Sequence, residues 1–560
     1  MQSNSWDIET DFLVAGTGVA GMSAAISARR NGLDTILIES ADRWGGTTAI
    51  SGGGLWAPNN PLMVADRAGD SIEAALEYMR RTIGAPGPWA SDERKLAFLH
   101  AIPQYVNMLA AEGVEWACAK DYPDYYPDLP GGRVGRCIEV KPFNIRKLGA
   151  YAKRMRPGGL PLPVKTDDVW LLSRAWSTPG GFIRGARLVF RTLGSLALGQ
   201  RKVGMGAALA GSLMYIIQKR GIPVWLSSPL RELIVENGCV VAAVVEKEGK
   251  TVCVRARCGV MLAAGGFASN AEWRKKYQGL EGWTSAPAGQ MGQGIEVGAQ
   301  VGGELAMMED AWWGAAAAVP RQKNQGACIL SERSDPWSIV VDHSGARYLN
   351  ESESYIDFGH HMIERHKTTP AIPSWLVLDH RHRTHFLASV FMIPGAKKNL
   401  LAAGELVEAR TLPELAEKMK VDPDTFLATI QRFNRFAREG VDHDFGRGRT
   451  VYDNYYGDPL VKPNPNLGAI EKGPFQALKI YPGDLGTKGG LVTDVDARVL
   501  RQDGGVIEGL YAAGNNTASV MGHTYPGPGS TIAPAGVFGF LGALHAAQHV
   551  QDVATTTAAR

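Results

Sequence analysis

Short apolar runs that end in glycine recur along this chain, separated by longer stretches where apolar and charged positions alternate at helical spacing. Residues 12–15 are the first such run and read as a buried parallel strand. They lead into an alanine-rich, helix-like segment, and a second apolar run at 35–38 closes on Glu39. Residues 71–82 and 91–112 carry charged faces and read as helices. Beyond a helix predicted at 204–221, short apolar runs at 224–226, 230–235, 240–247 and 251–256 have the rhythm of antiparallel strands. A run from Val260 turns at Gly265, and 509–515 repeats that strand-to-glycine pattern before a last helix.

The first two runs flank Gly16, Gly18 and Gly21, a G-x-G-x-x-G with its strand, its helix and its acid-tipped second strand all in place. Gly16 permits the tight turn, Gly18 lets the backbone approach a pyrophosphate, and Gly21 lets helix and strand pack closely. The helix N-terminus offers N–H groups and a positive dipole end to phosphates. Glu39 can accept hydrogen bonds from a ribose. A dinucleotide site is the expectation, and the acid by itself does not separate FAD from NAD.

Glycine also crowds residues 44–54 (WGGTTAISGGG), which suits a loop whose backbone lies against a ligand. Near Gly303 the pattern changes. Trp312 and Trp313 stand together among alanines, and 320–480 mix short strands and helices without a second phosphate loop. The first pattern returns at 489–494. Two segments, 1–302 and 485–560, are therefore expected to build one dinucleotide-binding domain around an inserted α+β substrate domain at 303–484.

Residues 169–202 differ from the rest. Trp170, Leu171, Leu172, Trp176, Phe182, Ile183, Leu188, Val189, Phe190, Leu193 and Leu196 accompany Arg184, Arg187 and Arg191, which share one helical face. Such a basic amphipathic helix suits peripheral contact with an anionic membrane surface. The other reading is a surface helix packed on its own domain, with its arginines in water.

Composition narrows the classes. A chain of 560 residues exceeds one ordinary core. The net charge of +3 gives no footprint for nucleic acid. Six scattered cysteines show neither metal spacing nor a C-x-x-C pair, so no metal is expected and a cytoplasmic setting is. No signal peptide is expected ahead of the first strand, because residues 1–10 hold acids and no apolar core, and no apolar run reaches eighteen residues.

The glycine loop resembles the segment beneath the flavin in the succinate dehydrogenase/fumarate reductase-like FAD superfamily. Over nearly its whole length the chain resembles the 3-ketosteroid Δ1-dehydrogenases. The matching stretches are GGTTAISGGGLWAPNN (45–60), DYYP (124–127), GARYLNESESYIDF (345–358) and YAAGNNTASVMGHTYPGPGSTIAPAGVFGF (511–540). The resemblance implies an α/β protein whose Rossmann-type, GR2-like FAD domain is formed by two segments. It implies FAD held without a covalent bond, since the glycine loop has no histidine to carry one. Flavin contacts are expected at Gly16, Gly18, Gly21 and Glu39, and along the loop at Gly46, Thr47, Thr48, Ser51, Gly52 and Gly53. Further contacts are expected at Ala264, Gly265, Gly514, Asn515 and Ile532.

By the same resemblance, Tyr525 and the Gly529 N–H donate to a steroid C3 carbonyl, an oxyanion-type pair that stabilises an enolate. Tyr355 is the base for the C2 proton, and Tyr126 its hydrogen-bonded partner, favoured over Tyr125. A C1 hydride goes to flavin N5. The implied substrate is a 3-ketosteroid, and the electrons then pass to an external acceptor, a quinone if the 169–202 segment touches membrane. Asn350 and Glu351 either orient Tyr355 or form a turn, and His523 reads as a structural histidine. Two rivals remain: another fumarate reductase-like enzyme working on a dicarboxylate, and a silent flavin- or sterol-binding protein.

Overall fold

The computed structural model describes residues 6–65, 69–158, 162–166, 168, 172, 178–319, 322, 325–386, 389–392 and 394–558. Trp170, Leu171 and Trp176 lie outside the described residues.

The strand Ile8–Ala15 forms because its last four residues, all apolar, are covered on both faces, and Phe12, Leu13 and Val14 are fully buried. It pairs in parallel with Thr35–Ile38 on one side and Lys250–Leu262 on the other. Val224–Trp225 and Val506–Ala512 extend the parallel sheet at its two sides. Sequence segments nearly 500 residues apart thus share one sheet, as the two-segment expectation requires. The runs predicted separately at 251–256 and from 260 fuse into the single strand Lys250–Leu262. Gly259, at φ +118°, lets that strand bend where its register against the first strand shifts. Leu230–Glu236, Cys239–Lys247 and Lys250–Leu262 form the expected antiparallel meander.

Helix Val19–Arg30 covers one face of this sheet, and the last helix, Ile532–Ala558, packs along it. The contact is close because a Cβ on Gly539 would sit 2.3 Å from the Ala20 carbonyl oxygen. Ser27 Oγ donates to the Phe540 carbonyl at 3.1 Å across the same seam.

A second sheet carries the inserted domain. Its long strand Phe475–Thr487 pairs with Ala311–Ala318, Ser374–Leu378 and Leu406–Ala409, and Ser338–Val341 lies outside Ser374–Leu378. Trp283–Thr284, from before Gly303, also joins this sheet. The two sheets are therefore stitched together by chain that passes back and forth, and the site lies where they meet.

Helices Ile72–Ile83 and Asp92–Ala111 start at Ser71 and Ser91, whose hydroxyls accept from Ala74 and Arg94 N–H groups. Helix Pro179–Ala197 is amphipathic as expected, with an unexpected orientation. Arg184 and Arg191 both turn inward to the carboxylate of Asp168, which is 1% exposed. Most of its apolar residues face outward: Phe182, Phe190 and Leu193 are 61%, 74% and 57% exposed, while Leu188 is buried.

Candidate active site

One cavity of ≈1540 Å³ runs along the glycine-rich turns and ends among tyrosines. Pockets for a single drug-sized ligand measure about 300–1,000 Å³, so this volume accommodates a dinucleotide and a second, smaller molecule.

At the phosphate end Gly16 holds φ +112°, and a Cβ on Gly21 would lie 1.8 Å from the Gly16 carbonyl oxygen. Gly21 therefore does not line the cavity; it sets the helix against the turn that does. Gly18 caps the helix without a side chain of its own, and Thr48 Oγ1 accepts from the Val19 N–H at 2.9 Å. Glu39 closes the second strand at the cavity wall, where Thr17 Oγ1 donates to it at 2.5 Å and the Ala41 N–H at 3.0 Å.

The loop residues Gly46, Thr47, Thr48, Ser51, Gly52 and Gly53 follow along the wall, and Ala264 and Gly265 stand across from them. Gly514, Asn515 and Ile532 complete it at the start of the last helix. Gln290 was not singled out from sequence, because nothing local marks it. It hydrogen-bonds Thr47 Oγ1 and lines the cavity, and its own amide oxygen is buried without a protein partner. A cradle of glycine backbone with a buried, unpartnered amide oxygen on a residue of its wall fits a flavin dinucleotide.

The far end is built from three buried tyrosines. Tyr355 and Tyr525 meet at 4.9 Å between ring centroids, and Tyr125 lies 5.4 Å from Tyr355 and 5.1 Å from Tyr525. Trp312 packs edgewise on Tyr525 at 5.2 Å and donates through Nε1 to Asn515 Oδ1 at 3.1 Å. Gly529 lines the same end of the cavity, and its backbone N–H and the Thr531 hydroxyl, 3.3 Å from the Tyr525 oxygen, both favour the ionised form of Tyr525. Gly529 can take this place because it has φ +94° and its missing Cβ would fall 2.3 Å from the Gly54 carbonyl oxygen. The turn that carries Tyr525 and Gly529 is thereby pressed onto the glycine loop.

Tyr126 is not at this end. Its hydroxyl donates to Asp357 Oδ1 at 3.0 Å, and Tyr125 takes the position beside Tyr355 that the sequence reading gave to Tyr126. The reason lies in how the 124–127 turn is anchored. Tyr125 N–H donates to the Pro526 carbonyl at 2.9 Å, Tyr78 hydroxyl donates to the same carbonyl at 2.6 Å, and Asp124 is held by Arg136 and Trp56 at 2.7 Å each. These bonds aim the first tyrosine of the pair inward. Burial pushes the Asp124 carboxyl up to about 6 against the opposing pull of Arg136.

Burial likewise pushes the Tyr355 hydroxyl well above its ordinary value, Tyr525 adds to that rise, and a hydrogen bond from Tyr125 acts against it. Glu351 anchors the segment leading to Tyr355. It pairs with Arg347 at 2.7 Å and Arg447 at 3.2 Å, all three buried, while Asn350 reaches Asp453 at 3.3 Å. His523 hydrogen-bonds Asp310 at 3.0 Å, outside the tyrosine cluster.

Residues 11–532 match the FAD binding domain family. The chain is 44% identical to the 3-oxosteroid 1-dehydrogenase of Mycobacterium tuberculosis, across 96% of this chain and 98% of that protein. The chain belongs to the 3-oxosteroid 1-dehydrogenase family. It is an FAD-dependent oxidoreductase. The 3-oxosteroid 1-dehydrogenase of Mycolicibacterium smegmatis is 42% identical, with 98% of each chain covered. A 3-ketosteroid delta1-dehydrogenase from Sterolibacterium denitrificans, solved in complex with 1,4-androstadiene-3,17-dione, superposes with a TM-score of 0.91 at 34% identity. That alignment covers 97% of this chain and all of the other. The FAD domain of two segments with an insert is thus the architecture of a 3-oxosteroid 1-dehydrogenase.

Proposed function

We propose that this protein desaturates the C1–C2 bond of 3-oxo-4-ene steroids, giving 1,4-dien-3-ones. The observation that carries the reading is the meeting of Tyr355 and Tyr525, 4.9 Å between ring centroids, in a cavity that Gly529 also lines. On this reading the Tyr525 hydroxyl and the Gly529 N–H bind a carbonyl oxygen and hold it more strongly as it gains enolate charge. Tyr355 then takes the C2 proton, and Tyr125 donates to its oxygen and stabilises the phenolate form. The surrounding rings exclude water, so the donors act at full strength. When bound, FAD supplies at N5 the acceptor for the hydride that leaves C1.

Anaerobic mixing of the holoenzyme with androst-4-ene-3,17-dione tests this. Rapid bleaching of the flavin with formation of the 1,4-diene is the expected result. A spectral shift without bleaching would favour a binding protein. Bleaching by succinate alone would favour a dicarboxylate enzyme.

Peripheral membrane contact is the second part of the proposal. Among the described residues no helix is long and apolar enough to cross a membrane. Helix Pro179–Ala197 nevertheless leaves most of its apolar side chains exposed, Phe182, Val189 and Phe190 at the rim of the cavity and Leu193 and Leu196 beyond it, and residues 141–202 carry thirteen Lys and Arg against two Asp in a chain of net charge +3. An apolar face within a basic surround suits an anionic lipid surface. A membrane quinone would then be within reach as electron acceptor.

A further inference from the structure

Lys488 is fully buried, and the mechanism above gives it no part. Its Nζ donates to the Thr524 carbonyl at 2.6 Å, the residue immediately before Tyr525. The same ammonium lies 4.3 Å from the centroid of the Trp312 ring, and Trp312 in turn packs on the Tyr525 ring. One side chain therefore touches both the backbone that leads into Tyr525 and the aromatic wall against which Tyr525 rests.

A buried ammonium needs compensation, and it is provided from two directions. Asp310, 3% exposed, accepts from His360 at 2.9 Å, from His523 at 3.0 Å and from Trp313 Nε1 at 2.8 Å, and its backbone carbonyl accepts from the Lys488 N–H at 3.2 Å. Asp357, which holds the Tyr126 hydroxyl, is the second carboxylate acting on the lysine. Burial pushes the Lys488 ammonium down to about 7, and Asp310 and Asp357 oppose that fall. Asp310, Trp312 and His360 come from the inserted domain, whereas Lys488, His523 and Thr524 come from the returning FAD segment. The cluster joins the two halves directly behind the ketone end of the cavity.

We propose that Lys488 is a positioning residue for Tyr525, holding it through the Thr524 carbonyl and the Trp312 ring so that its hydroxyl stays beside the Gly529 amide. This rests on the reading of Tyr525 as the carbonyl donor. A neutral replacement loses the donor to Thr524 and the cation on Trp312 together. Arginine retains both a donor and a charge, and guanidinium stacks well on indole.

Steady-state kinetics of the holoenzyme with androst-4-ene-3,17-dione decide it, using Lys488→Met, Lys488→Arg, Tyr525→Phe and the Lys488→Met/Tyr525→Phe double variant. Residues that act through one another do not add in a double-mutant cycle. Lys488→Met is expected to lower kcat/KM by about tenfold or more, Lys488→Arg to stay within about threefold of the native enzyme, and the double variant to lose less than about twofold beyond Tyr525→Phe. If Lys488→Met does not yield folded flavoprotein, Trp312→Leu carries the same test, because it removes the ring that transmits the contact. Losses that multiply with Tyr525→Phe, or a Lys488→Met enzyme with native kinetics, would overturn the positioning role alone. A silent Tyr525→Phe would overturn the carbonyl-donor reading and this proposal with it.

Discussion

Tyr355 and Tyr525, separated by 170 residues in sequence, meet edge to face with ring centroids 4.9 Å apart and interplanar angle 67°. Each comes from a different structural unit: Tyr355 opens a helix of the inserted domain, and Tyr525 lies in the turn before the last helix of the FAD domain. In the proposed mechanism Tyr355 is the proton acceptor and Tyr525 the carbonyl donor, acting on adjacent carbons of one ring, and those separate duties predict separate kinetic defects.

Tyr355→Phe keeps the ring and removes the base. Steroid binding, followed by perturbation of the flavin spectrum, should remain within about threefold, while kcat falls by about 10²–10⁴. Tyr525→Phe removes a donor that acts on both ground and transition states, so kcat/KM should fall by about 10²–10³ with weaker binding as well. Equal losses of binding and turnover in Tyr355→Phe would count against its base role.

The neighbouring tyrosines separate cleanly. Tyr125→Phe should slow turnover by about tenfold or more, since its hydroxyl supports the Tyr355 phenolate. Tyr126→Phe, which loses only the bond to Asp357, should stay within about threefold. The reverse order in measured kcat would restore Tyr126 as the partner.

Rate should rise with pH. An acid whose pKa is raised is more fully protonated at neutrality, and the proton acceptor is the phenolate. Because burial holds Tyr355 above its ordinary value, its phenolate fraction grows tenfold per pH unit through neutrality and beyond. The logarithm of kcat/KM should climb with a slope near one from about pH 7 to pH 9. A flat profile over that range would remove an unassisted tyrosinate from the mechanism.

Glu351→Gln tests the anchoring of the base. Removing one partner from a buried charge group costs about 3–5 kcal/mol, because Arg347 and Arg447 both lose their shared carboxylate. A lowered midpoint in denaturant unfolding is the expected outcome. Native stability would mean that Asp442, which also pairs with Arg347, suffices.

The outward apolar helix face predicts lipid binding. Leu193→Ser/Leu196→Ser, both exposed and outside the cavity lining, should weaken co-sedimentation with phosphatidylglycerol-containing vesicles by about tenfold or more and leave turnover of dispersed steroid unchanged. Binding of the native protein should fall as salt is raised, since part of it is electrostatic. Vesicle binding that is absent in the native protein would end the proposal.

Much of this was legible in the chain itself. The G-x-G-x-x-G turn, the acid-tipped strand and the capped helices depend on short-range geometry: which residue can take a positive φ, which can pack against a strand, which can open a helix. Such constraints act over a few residues, so local sequence states them. The split FAD domain was legible for the same reason, because its returning segment repeats the strand-to-glycine pattern.

Choices that depend on long-range contacts were not. Tyr125 and Tyr126 are the same residue type side by side, and only the Pro526 carbonyl, Tyr78 and the Arg136–Asp124 pair determine which one faces Tyr355. Arg184 and Arg191 follow a helical repeat that suits solvent or lipid, yet Asp168 draws them inward and leaves the apolar side exposed. Lys488 carries no motif, and its contacts with Thr524 and Trp312 arise only when two distant segments close around it. Period and composition determine what an element is. Which of its side chains meets which partner is determined by packing between segments that the sequence keeps far apart.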